Sequence, residues 1–267
     1  MVFALLTSIG STSSITFDAT DPATTVALGR LLASLTMLVA AVVLGYYAIV
    51  YVREVIAVDA GTEHAYLLVG IGAAIVYALS RIGWLLLEID PLARFADGAV
   101  LFFILFLALG IRGMYHAEGG RGEPSRLLPT WVDYLVIGVF VAAWWGAFLT
   151  ETTATGPVVA AGWIVTSLWA IWYGVQTVRV HEGTTLAALT RHLLPAIVCL
   201  TAVVFVDLLA GFAGYASLAD AAWLVGTPLV AAFLFNTAVA IRQQGGELER
   251  LYDWTTWREQ SLESVDR

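Results

Sequence analysis

Residues 92–111 read LARFADGAVLFFILFLALGI, an apolar run that opens with Arg94 and Asp97 three residues apart. An ion inside hydrocarbon is costly unless it reaches water or meets a partner. The stretch therefore decides the fold class, a membrane helix, and raises the question of what its two ions face.

The rest of the chain agrees. Hydrophobic residues make up 60% of the 267 and charged ones 13%, and mean hydropathy is +0.83, too little polar surface to coat a soluble globule. Apolar blocks fall at 26–52, 65–87, 95–115, 131–150, 157–178, 187–214 and 218–241, each long enough to cross a hydrocarbon core of about 30 Å at 1.5 Å per helical residue. Lipid offers no partner to an unpaired backbone group, so the blocks predict an all-α, seven-transmembrane helical bundle over 26–242. The expected setting is the lipid bilayer of the cell membrane, crossed many times.

The arginines orient it. With the N-terminus outside, the inner connections carry Arg53, Arg112, Arg121, Arg126, Arg179 and Arg191, and the tail carries Arg242, Arg250, Arg258 and Arg267. The outer side keeps Arg30 and Arg94 at span ends. That asymmetry predicts N-terminus outside and C-terminus inside. Residues 1–25 read as an outer N-terminal segment, since VFALL is too short and lacks the basic flank of a signal peptide. Residues 116–130 have the Gly, Pro and charge content of an inner loop. Residues 243–267 read as an acidic cytoplasmic tail beginning where Gly245 and Gly246 end the seventh helix. That tail is either solvated or a short helix laid on the inner face through Leu251, Trp254 and Trp257.

Several function classes drop out. Net charge is −8 and all 13 basic residues are arginine. Acidic loops and lysine-free usage match a high-salt, GC-rich source such as a haloarchaeon. There is no basic patch for nucleic acid. The histidines, His64, His116, His181 and His192, form no HExxH or in-span pair, and no glycine motif cradles phosphate. The expectation is a non-enzyme without metal or other cofactor. The single Cys199 permits no disulfide within the chain.

Small residues recur every fourth position in span two (Gly70, Ala74, Ala78) and span four (Gly138, Ala142, Gly146), which allows close helix approach within the chain, or to a homo-oligomer or membrane partner. Pro195 and Pro228 should kink spans six and seven. Trp84, Trp131, Trp144, Trp145 and Trp223 lie toward span ends, where indoles favour the headgroup boundary. Trp169, Trp172 and Tyr173 share one face of span five and read as packing.

The in-span charges are the candidate site. Arg81, Asp97, Asp207 and Asp220 all fall in the outer half once helix direction alternates, with Arg94 beside them. Two readings stay open: separate anchoring of these side chains at the wet rim, or an intramembrane polar network of Arg81, Arg94, Asp97, Asp207 and Asp220.

ARFADGAVLFFILFLAL resembles the third helix of the microbial (type 1) rhodopsins, which opens Ala-Arg-Tyr-Ala-Asp before a leucine-rich run. ALGRLLASLTML from Ala27 and AAIVYALSRIGW from Ala73 resemble the first and second helices in order, so the likeness covers about the first 115 residues. It implies a seven-helix bundle with the N-terminus outside and places Arg94 and Asp97 in an outer counter-ion network. Those proteins hold retinal as a Schiff base on a seventh-helix lysine. This chain has no lysine, so covalent retinal is excluded, and AVVFVDLLAGF replaces the family's Trp and Pro in the sixth helix. The resemblance thus implies a bacteriorhodopsin-like, opsin-related member without light chemistry. Two functions remain: a non-photochemical sensor or interaction protein, or alternatively a transporter or ion/proton channel using the outer-half carboxylates. The second is weakened by the few polar residues of the inner half, chiefly Thr177, Asn236 and Thr237.

Overall fold

The computed structural model describes residues 22–52, 61–117, 131–150, 155–180 and 185–263. Most of the outer segment 1–25, most of the loop 116–130, and Arg53, Arg121, Arg126, His181 and Arg267 lie outside those residues. Among the described residues there are seven α-helices and no strand: α1 (Pro22–Tyr47, continued by a π-helical turn Ala48–Val52), α2 (Gly61–Leu87), α3 (Asp90–Ala117), α4 (Trp131–Leu149), α5 (Thr155–Val180), α6 (Thr185–Ala213) and α7 (Ala216–Glu263). All seven expected blocks are helical. Pro195 and Pro228 both lie inside unbroken helices.

Five helices contain stretches long and apolar enough to cross a membrane: Thr24–Val50, Ala65–Leu87, Asp90–His116, Ala187–Ala210 and Ala216–Gln243. They mark the chain as an integral, multi-pass membrane protein. The apolar part of α4 is shorter, Tyr134–Leu149, and α5 is diluted by Thr166, Ser167 and Gln176 among its aromatics.

One expectation is corrected. The Gly245–Gly246 pair does not end the seventh helix, which runs on to Glu263. Each glycine costs about 1 kcal/mol relative to alanine inside a helix, but the following ELERL supplies strong helix formers that carry the turn pattern through.

Helices α1, α2, α3, α5, α6 and α7 pack in that order into a closed ring, and α4 lies outside it against α3 and α5. The most enclosed member is α3, where Leu101, Ile104, Leu105, Ala108 and Ile111 are fully buried. Gly70 lets α2 approach it closely: a Cβ there would meet the Phe103 carbonyl oxygen and the Leu107 backbone nitrogen, each at 3.3 Å.

Two short links fix one end of the ring. Between α2 and α3 only Glu88 and Ile89 intervene; Glu88 takes the left-handed conformation (φ 54°) while its N–H still donates to the Trp84 carbonyl at 2.8 Å. Between α6 and α7, Gly214 (φ 75°) closes a Schellman-type cap in which the Tyr215 N–H donates to the Ala210 carbonyl at 2.8 Å. Hairpins this tight hold four helix ends side by side, and every candidate charge lies within about two turns of them.

Candidate functional site

At that link end the ring encloses a cavity of about 550 Å³. Arg81, Arg94, Asp97, Asp207 and Asp220 all line it, together with Arg30 from α1. The structure thus brings the five sequence-selected residues to one place and adds a sixth.

Within the cavity the charges divide. Arg30 and Asp220 form an ion pair between α1 and α7, with side chains 30% and 53% exposed. Such partly solvated pairs contribute little to stability, but this one closes the seam where the last helix meets the first. Arg81, deeper on α2, has Tyr77, Asp97 and Asp207 as its electrostatic neighbours. Its guanidinium also stands over three aromatic rings: Trp84 at 5.5 Å, Trp223 at 5.6 Å and Tyr77 at 6.0 Å from the centroids. Planar guanidinium on ring faces is favourable when shielded from water. Arg81 therefore sits in an aromatic cage with two carboxylates beyond it.

Arg94 lines the same cavity as Asp97 and also reaches α4. It stands over Phe148 of α4, 5.9 Å from the ring centroid, whereas the electrostatic neighbours of Asp97 are Arg81 and Asp207.

The tryptophans are also reassigned. Trp131 and Trp145 are exposed, at 60% and 43%, as boundary residues would be. Trp84 and Trp223 build the cage. Trp144 is 2% exposed and locks α4 to α3: its ring lies 5.5 Å from Phe95, 5.4 Å from Phe102 and 5.4 Å from Phe148. It occupies the space a side chain at residue 98 would fill, so Gly98 is required for the docking. Trp163, which sequence reading passed over, is 5% exposed, lines the cavity and lies with its ring centroid 6.0 Å from that of Trp223, tilted at 55°.

The opposite half differs. Arg112, expected in an inner connection, is inside α3 and 3% exposed, its guanidinium 5.4 Å from the Trp169 ring and 6.0 Å from Tyr173. The span-five aromatics thus hold a cation as well as packing. Thr177 and Thr237 are fully buried and donate to carbonyls of their own helices, Tyr173 at 2.8 Å and Phe233 at 2.9 Å. Asn236 contacts His192 at 3.3 Å in an exposed pair. Between these groups and the cavity lie buried Ile104, Ile197, Leu200 and Leu234.

Among the described residues no three His, Cys, Asp or Glu side chains gather as a metal site. No protein-family model, curated protein or solved structure matches the chain.

Proposed function

We propose that this protein is an opsin-related seven-span receptor of the cell membrane, N-terminus outside and C-terminus inside, that works without light: a non-photochemical sensor or interaction protein whose outward cavity takes a small ligand. The supporting observation is the cavity itself. It gathers polar and aromatic side chains from α1, α2, α3, α5, α6 and α7 at one end of the ring, and its volume lies in the roughly 300–1,000 Å³ range of small-molecule sites. A ligand there touches six helices at once, and so can bias their packing.

The transporter or channel alternative needs a polar route onward. The cavity lining stops at Tyr77, Trp163, Val204 and Thr227, and beyond it the hydroxyls of Thr177 and Thr237 are tied to their own helices. That arrangement favours binding over conduction.

Labelling tests the reading. In a Cys199→Ser background, Ala160→Cys, on the cavity wall, should react with a membrane-impermeant maleimide added to intact cells. Reaction only after the cells are opened would overturn the orientation. Retinal followed by borohydride should leave no adduct on the chain; a retinyl adduct would overturn the light-independent reading.

A further inference from the structure

The seam between α6 and α7 carries polar side chains on the outside of the ring, at the end away from the cavity. Asn236 is exposed, on the same outward face of α7 as exposed Val225, Leu229 and Ala232, while Leu234 and Ala238 of that helix turn inward and are buried. From α6, His192 reaches across to it, with Nδ1 lying 3.3 Å from the Asn236 amide nitrogen. Arg191 is exposed, in line with exposed Val198 and Phe205 on the outward face of α6.

The depth of this group is set twice over. At 1.5 Å per residue, Asn236 lies about 30 Å along α7 from Ala216, and His192 about 30 Å along α6 from Ala213. Both helices therefore place the pair one hydrocarbon thickness away from the α6–α7 turn. That is the level at which the phosphate and glycerol of a lipid stand at the opposite boundary.

The chemistry suits an anion there. An amide and an imidazole turned toward hydrocarbon would forfeit hydrogen bonds, whereas a headgroup supplies oxygens. With the amide donating to Nδ1, the imidazole proton is on Nε2, so His192 and Arg191 both present donors. Between Ala187 and Leu200 on α6, and between Val230 and Gln243 on α7, the charged residues are Arg191 and Arg242, with no carboxylate. A zwitterionic headgroup would bring an ammonium to a surface that has no acid to meet it. A basic groove between spanning helices at headgroup level is a known form of anionic-lipid site.

We infer that the α6–α7 seam is a docking site for one phospholipid with an anionic headgroup, in the leaflet at the end of the ring away from the cavity. Its phosphate lies on Arg191 and His192, and its glycerol oxygens lie by Asn236.

The test takes the full-length protein in detergent, adds an equal mixture of phosphatidylglycerol and phosphatidylcholine with matched acyl chains, and weighs the intact complexes by native mass spectrometry. One phosphatidylglycerol should be retained about fivefold over phosphatidylcholine, the weight of one arginine near an anionic surface. Arg191→Gln should abolish that preference, and Asn236→Leu, which suits a lipid-facing helix, should lower retention of both lipids. Arg179→Gln should change neither, because Arg179 is exposed at the same end but on α5, one helix further round the ring. Since the two lipids are compared on the unaltered protein, the result stands even if a variant fails to fold. Equal retention of the two lipids would overturn the inference. So would an equal loss in Arg179→Gln, which would show that the diffuse charge of that end, and not the seam, holds the lipid. Displacement of the lipid by millimolar glycerol 3-phosphate would overturn it as well, by assigning the site to a soluble phosphate.

Discussion

Helices α2 and α4 carry the same stripe of small residues and use it differently. On α2, Gly70 is in backbone contact with α3, and Ala74 and Ala78 are fully buried. On α4, Gly138, Ala142 and Gly146 are all exposed, and nothing lies within 4 Å of a Cβ built at either glycine. What joins α4 to the ring is the opposite kind of residue, Trp144, seated over Gly98. A spacing of four thus shows that a helix can be approached closely; it does not show from which side, or by whom.

The largest expected effect follows from that contrast. Trp144→Ala should destabilise the detergent-solubilised protein by about 3–5 kcal/mol, the cost of deleting a large buried aromatic, measured as a shift in the unfolding midpoint. A loss below about 1 kcal/mol would mean that α4 is held by something other than this ring cluster.

Next is Gly70→Val. Its side chain would meet backbone atoms of α3, which cannot swing away as a side-chain tip would, so overpacking of about 1–3 kcal/mol is expected. Since the α2–α3 spacing also sets Arg81 against Asp97, this substitution should lower affinity for the cavity ligand as well as stability. An unchanged protein would show that the close approach of α2 and α3 is not needed.

The fold was legible in the sequence because length and hydropathy are properties of a segment by itself: each of the seven blocks became a helix. The gathering of Arg81, Asp97, Asp207 and Asp220 was legible for a related reason, because depth along a helix follows from counting residues from its end. Neighbours across helices were not. Trp84 and Trp223 satisfied the boundary rule by position yet face Arg81; Trp144 satisfied it too and is buried. Arg112 belonged to an inner cluster of arginines by count, while its side chain lies between helices. Periodicity gives the face of a helix, and only packing gives the face opposite.

A smaller effect should appear where the α2–α3 contact meets the charges. Asp97→Asn should cost about 1–2 kcal/mol, toward the lower end for a lost charge partner because the cavity admits water. Arg81→Gln should not add its full cost to it, since both act through one cluster. Strict additivity in the double variant, read from unfolding midpoints, would show that Arg81 draws its stability from the aromatic cage alone.

The smallest effect should come from the outward stripe. Gly138→Leu and Gly146→Leu together should change the stability of the isolated chain by no more than about 0.5 kcal/mol, because both positions are open and no atom of the described residues stands in the way. Leucine is also the better helix former, so a slight gain is as consistent as a slight loss. The same pair of substitutions has a second readout. Small residues let helices of separate chains come together in lipid, where tight packing rather than hydrophobicity holds them. If α4 meets a second copy through this stripe, the double variant should shift the protein toward monomer in lipid nanodiscs at unchanged stability. If both stability and oligomeric state are unmoved, the α4 stripe faces lipid and its likeness to that of α2 has no structural use. A loss above about 1 kcal/mol in the monomer would break the contrast between the two helices, by showing that α4 buries this face within its own chain.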